Sequence, residues 1–292
     1  MLEKIKKSPS KTAEEVTIIR IIESTKPEDE RICYDPLAVH FIGSKTLELL
    51  QKKPEIDKEK QVVFKGVANT IAARVRYFDD FVKKSIDDGI EQLVILGAGY
   101  DTRAYRIEGL KENVKVFELD YPSTQNLKIE KIKEIFGYLP SHVTYASIDL
   151  EKESLDEKLF KNKYDPLKKT LFIMEGLTMY ISPETVDEIL SFIVENSSRG
   201  SAVIFDYASR TVNFDEHSDR KTVENLTDLM EKSNESMKFS LMEGTAEEFL
   251  SMMGFSDVID VTCEDYKKAY FYGKNKDREV FSLMSFVHAV VG

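Results

Sequence analysis

Cysteine is almost missing from this chain. Cys33 and Cys263 lie far apart and neither belongs to a CxxC pair. That spacing excludes a disulfide framework and a cysteine zinc site, and it predicts a reducing, cytoplasmic setting. Histidine is also scarce. His40, His142, His217 and His288 form no HExxH and no i, i+4 pair, so no metal is expected. No apolar run approaches the ~20 residues a membrane helix needs, which predicts no membrane partner. Positive charge is in deficit, with 41 basic against 52 acidic residues and a net charge of −11. Such a surface repels phosphate backbones and argues against nucleic-acid binding. The one basic cluster, "MLEKIKKSPSK", lacks the apolar stretch of a signal peptide and reads as a terminal tail.

What the chain does have is enough apolar residues, 42% hydrophobic in 292, for a large core. Residues 1–89 read as a helical cap. "TAEEVTIIRIIES" puts Val16, Ile19 and Ile22 on one helical face, with Thr12 as N-cap and Glu15 three residues on. "LAVHFIGSKTLELLQ" and "VVFKGVANTIAARVRYFDDFVKKSIDDG" read as further helices. From residue 90 short apolar runs alternate with helical periodicity. Strands are expected in "QLVILGAG", "VKVFELD", "VTYASIDL", "KTLFIMEG" and "SAVIFDYAS", with two closing strands in "SDVIDVT" and "FSLMSFVHAVV". Continuous apolar runs separated by helices predict a parallel sheet covered on both faces. The fold class is therefore α/β: a Rossmann-like, seven-stranded, mostly parallel sheet with helices on both faces and an N-terminal helical cap. Residues 1–292 read as one domain, and the polar 209–236 stretch marks a helical insertion or lid within 209–245.

The chemistry begins at "LVILGAGYDTRAYR". A strand running into Gly97-Ala98-Gly99 at a helix start lets a ligand approach the backbone. A dinucleotide fingerprint needs a third glycine at 102, where Thr102 stands. Asp101 would also compete with a pyrophosphate for the positive helix end. A ligand without phosphate and carrying an amine suits the turn better.

Carboxylates then close successive strands. Glu118 and Asp120 lie on one side of "FELDYP", and Asp120 follows the turn by about 20 residues, the spacing of a ribose-binding acid. Asp149 ends the third strand beside Leu150; capping the helix in "EKESLDEKLF" is its competing role. Glu175 closes the very apolar "FIMEG", a position that needs a partner. Tyr180 and Tyr207 are candidates to orient an acceptor. Arg74 and Arg76 in "AARVRYFDDF" point to different faces, so one at most reaches a site; the other is free to pair with Asp79 or Asp80.

"LGAGYDTRAYR", "VFELDYPSTQNLK", "SIDL", "FIMEGLTMYIS" and "AARVRYFDDF", together with "CYDPLAVHF", resemble the leucine carboxyl methyltransferase family, class I S-adenosylmethionine-dependent methyltransferases. The first five blocks occur in family order over residues 74 to about 181, "CYDPLAVHF" lies near residue 33, and little diagnostic sequence lies beyond 210. The resemblance implies S-adenosyl-L-methionine as cofactor and S-adenosyl-L-homocysteine as product. It implies that Arg74 binds the methionine carboxylate and that Gly97, with Gly99, lies under the methionine moiety. Asp120 would hold the ribose, Asp149 and Leu150 would frame the adenine, and Glu175 would lie near the amino-acid end. Arg20 is the nearest match to a further cofactor-binding basic residue of the family.

The expected reaction is in-line methyl transfer to oxygen. No histidine sits in the five blocks between residues 74 and 181, which tilts the acceptor toward a carboxylate, ionised at pH 7 without a general base. A small-molecule acid and a protein C-terminus both qualify as partner. The rival readings are an NAD(P)-dependent oxidoreductase, against which Asp101 and Thr102 argue, and a non-enzymatic adenosyl-cofactor-binding module.

Overall fold

The computed structural model describes residues 10–51, 58–210, 237–280, 282 and 284–292. The basic tail at 1–9 and most of the expected lid, 211–236, lie outside the described residues.

Before the sheet come α1 (Lys11–Ser24), α2 (Ser44–Gln51) and α3 (Lys58–Asp87). The N-cap of α1 is Ser10, not Thr12: its hydroxyl accepts from the Ala13 amide at 3.1 Å. Its buried face carries Thr17, Ile19, Arg20 and Glu23, while Ile22 is exposed. The expected apolar stripe through Ile22 is therefore displaced by two buried charges. The expected helix over "LAVHFIGSKTLELLQ" divides into a 3-10 turn (Ala38–Phe41) and α2. The 30-residue α3 is continuous, and the chain turns after it at Gly89, in the left-handed conformation that glycine adopts without a Cβ clash.

Five parallel strands follow: β1 (Gln92–Leu96), β2 (Lys115–Asp120), β3 (Val143–Ser147), β4 (Thr170–Met174) and β5 (Ala202–Arg210). The helices between them are α4 (Arg103–Arg106), α5 (Leu110–Asn113), α6 (Pro122–Phe136), α7 (Leu155–Lys161) and α8 (Pro183–Glu195). The chain closes with β6 (Ser240–Met242), α9 (Ala246–Met252), β7 (Phe255–Val261), α10 (Cys263–Tyr270) and β8 (Met284–Val291). The strand order is β3-β2-β1-β4-β5-β8-β7, with β8 antiparallel to both neighbours. The seven expected strands are present. An eighth, the three-residue β6, pairs with the end of β5.

Two apolar layers sandwich the sheet. One packs α3 residues Ala72, Val75, Phe78 and Val82 on Leu93, Ile95, Leu171 and Ile204. The other packs α7 and α8 residues Leu159, Val186 and Leu190 on Val94, Phe117, Phe172 and Phe205. The order of strand addition reverses between the parallel neighbours β1 and β4, so their carboxyl ends border the crevice where open α/β sheets bind ligands. Among the described residues no helix is long and apolar enough to cross a membrane.

Candidate active site

Strand register assembles the site. On the face toward α3, Glu118, Ile95, Ile173 and Ile204 form one cross-strand row. Two residues on in each strand come Asp120, Gly97, Glu175 and Asp206. Period-2 alternation returns these positions to the same face, so three carboxylates and a glycine line the carboxyl edge.

Gly97 has φ +64°, and a Cβ built there would lie 3.0 Å from Leu177 Cδ1. At Gly99 the amide donates to Asp120 Oδ2 at 2.5 Å, and Tyr121 donates to Oδ1 at 2.6 Å. The Asp120 carboxylate is thereby oriented by backbone. Burial pushes its pKa up, and these two amides oppose the rise. Beside it, Ile148 donates its amide to the Asp120 carbonyl at 2.9 Å, which carries Asp149 and Leu150 to the flank of the site. Asp149 accepts from Glu151 N and from Lys152 at 3.0 Å. Ser154 caps α7 instead, its hydroxyl accepting from Glu157 N.

Arg74 reaches this edge from α3. Its Nε donates to Glu175 Oε1 at 3.0 Å and its Nη1 to Asp206 Oδ2 at 2.7 Å. Asp206 also accepts the Gly176 amide at 2.6 Å. Arg76, two residues along, points elsewhere and forms an exposed pair with Asp80 at 2.8 Å. Tyr207 faces the opposite side of the sheet from Asp206, and its hydroxyl donates to Asp260 at 2.7 Å. It is thus no candidate to orient an acceptor, a correction that strand alternation explains.

Four residues at the site escaped sequence reading: Asp79, Arg103, Arg106 and Asp206. Arg103 bridges Glu175 Oε2 at 2.6 Å, Asp101 Oδ2 at 2.5 Å and Asp79 Oδ1 at 2.7 Å. Arg106 completes Asp79 at 2.7 Å and approaches Asp35 at 3.7 Å. Arg20 then binds Asp35 at 2.7 Å and the Tyr100 carbonyl at 2.8 Å. Asp101 caps the Arg103 amide as well. Burial would raise its pKa, but Arg103 and Lys128 hold it down at about 2. Asp206 alone carried a sequence signal, since an acid closes the apolar run "SAVIFD" as Glu175 closes its own.

This network sets four guanidinium groups, Arg20, Arg74, Arg103 and Arg106, against five carboxylates, Asp35, Asp79, Asp101, Glu175 and Asp206. The network thus carries one negative charge in excess, and Asp120 adds another carboxylate in the row of Gly97. The edge therefore suits a cationic ligand and repels a pyrophosphate. A separate cavity of about 390 Å³ lies between Arg31, Arg76, Tyr270 and Lys274. Arg76 and Lys274 there already pair, with Asp80 and with Asp29 at 2.7 Å.

Known proteins resemble this chain in sequence and in fold. YktD of Bacillus subtilis (strain 168), named as an S-adenosyl-L-methionine-dependent methyltransferase, is 28% identical over 256 residues, 86% of this chain and 82% of that one. A Mycobacterium avium (strain 104) protein named in the same way is 31% identical over 202 residues, 67% of this chain and 65% of its own length. About a third of that relative thus lies outside the match. The fold is shared with a duf574 family protein from Streptomyces avermitilis, with TM-score 0.60 and 14% identity over 97% of this chain and 98% of that one. A Thermobifida fusca protein named as a methyltransferase gives TM-score 0.57 and 13% identity, with 97% and 95% covered. Residues 13–194 match the leucine carboxyl methyltransferase model, so the chain belongs to that family of S-adenosyl-L-methionine-dependent methyltransferases.

Proposed function

We propose that this chain transfers the methyl group of S-adenosyl-L-methionine to a carboxylate oxygen, on a small-molecule acid or a protein C-terminus. The observation that carries the reading is the edge row of Asp120, Gly97, Glu175 and Asp206, in which Arg74 and Arg103 meet Glu175 and Asp206 while Asp120 is held by backbone amides alone. When bound, the cofactor supplies a methyl group on a positively charged sulfur. That chemistry would be in-line: a new C–O bond to the acceptor in exchange for the S–C bond, whose electron pair would stay on sulfur. No proton moves, so an ionised carboxylate needs no base.

The residues' work is binding and alignment, which can supply ~7–11 kcal/mol of barrier reduction. Asp120 uses one lone pair of each oxygen on a backbone amide and keeps the others for a ribose diol. Arg74 receives the methionine carboxylate through its fork, and Glu175 takes the ammonium group. Gly97 and Gly99 let the methionine moiety lie against backbone. Asp149 and Leu150 frame the adenine. Tyr180, half-buried beyond β4, orients the acceptor. Residues 1–89 act with the sheet as one domain: Ala13 of α1 lies 3.4 Å from where a Gly99 Cβ would stand. The two free cysteines support work in the cytoplasm.

The test is transfer from donor carrying a labelled methyl group to panels of carboxylic acids, C-terminal peptides and alcohols. Label that mild base releases as methanol marks an ester and is the expected result. Base-stable label on a hydroxyl would overturn the carboxylate assignment. No transfer, with NADH bound instead, would overturn the methyltransferase reading.

A further inference from the structure

Beneath the glycine turn lies a fully buried ion pair that the reaction does not use. Lys128 of α6 and Glu118 of β2 are both completely shielded from solvent, with Nζ 2.9 Å from Oε2. Tyr105 donates its hydroxyl to the same Oε2 at 3.0 Å and meets the Tyr145 hydroxyl at 3.0 Å. Glu118 Oε1 is buried without a partner. Burial outweighs Lys128 here and raises the Glu118 pKa to about 6. A pair this dry is weak evidence for stability, because desolvation costs about as much as the attraction returns. Its position suggests another role.

Lys128 Nζ also donates to the Ala98 carbonyl at 3.2 Å. The same carbonyl accepts the Asp101 amide at 2.8 Å, closing the turn. The other end of that peptide unit, the Gly99 amide, is the donor to Asp120. One peptide plane is therefore gripped at its carbonyl by Lys128 and at its N–H by Asp120. The plane turns about ψ of Ala98 and φ of Gly99, and Gly99, at φ +40° and without a Cβ, offers little steric resistance, so the bonds at the two ends of the plane hold it. If the plane turns, Asp120 loses one of the two amides that orient it.

We infer that Lys128 is a positioning residue for cofactor binding, fixing the Ala98–Gly99 peptide so that Gly99 N–H holds Asp120 in its ribose-binding orientation, with Glu118 as its counter-ion. This rests on the proposed cofactor site.

The test compares S-adenosyl-L-homocysteine affinity with thermal midpoint in three proteins. The first is wild type. The second is the double variant Lys128→Met/Glu118→Gln, which removes both buried charges and leaves an acceptor for Tyr105. The third is Ile132→Ala, which opens a cavity against Phe41 and Tyr100 but leaves Lys128, Glu118 and the bonds to the Ala98–Gly99 peptide in place. The double variant should keep a midpoint above that of Ile132→Ala yet bind at least fivefold more weakly than wild type. Ile132→Ala should lose midpoint and stay within twofold of wild-type affinity. A purely structural pair would make affinity follow midpoint across all three, and that result, or wild-type affinity in the double variant, overturns the inference. Failure of wild type itself to bind would instead overturn the cofactor site.

Discussion

The two faces of the sheet carry similar apolar rows but end differently. Toward α7 and α8 the central strands stay apolar to their carboxyl ends: Leu96, Leu119, Met174 and Phe205. Toward α3 the apolar rows give way to Glu118, Asp120, Glu175 and Asp206, met by Arg74, Arg103 and Lys128. One face is built for packing, and the other spends stability on a preorganised polar edge. A buried ion pair is worth little against a hydrophobic replacement but is costly to break in half. That asymmetry separates the two faces experimentally.

The largest effect is expected at Arg74→Met, which strands the buried Asp206 and leaves Glu175 to Arg103 alone. Urea unfolding should show a loss of ~3–5 kcal/mol, and S-adenosyl-L-homocysteine binding should disappear with it. Phe172→Ala on the opposite face should cost a similar ~3–5 kcal/mol through its cavity. Its cofactor affinity, measured below the unfolding transition, should stay near wild type. Loss of binding there would erase the contrast between the faces.

A smaller effect, set by pH, should appear at Asp101. Its folded pKa of about 2 lies below its ordinary 3.8, so the stabilisation is complete above pH 3.8 and is lost as pH falls through about 2. Asp101→Asn should therefore be less stable than wild type by ~2 kcal/mol at pH 6. Unfolding curves of the two proteins should converge as the pH is lowered toward 2; a constant gap would mean that Asp101 acts through packing. The smallest effect belongs to Arg76→Ala. The exposed Arg76–Asp80 pair should contribute under ~1 kcal/mol, and both stability and binding should remain close to wild type.

Much of the polar edge was legible because it follows simple periods. A glycine turn after an apolar strand, and acids at the ends of β2 and β4, mark the carboxyl edge by chain order alone. The same period-2 rule, applied to "FDYAS", puts Asp206 and Tyr207 on opposite faces, so Tyr207 was excludable from the sequence. The arginine lattice was not legible. Arg103 and Arg106 sit in a four-residue helix too short to show a periodic face, and their partner Asp79 reads equally well as a local helix pair. The α1 cap was misplaced because Ser10 and Thr12 both suit an N-cap, and only the hydrogen bond to Ala13 separates them. Three residues of β6 are too few for any alternation to register.

The central claim is that the polar edge holds a phosphate-free, amine-bearing cofactor through Asp120. Calorimetric titration of wild type and Asp120→Ala with S-adenosyl-L-homocysteine, beside NADH, tests it most directly. Wild type should bind the first ligand and not the second, and Asp120→Ala should weaken the binding at least tenfold. A folded wild type that ignores S-adenosyl-L-homocysteine, or binds NADH in its place, would contradict it.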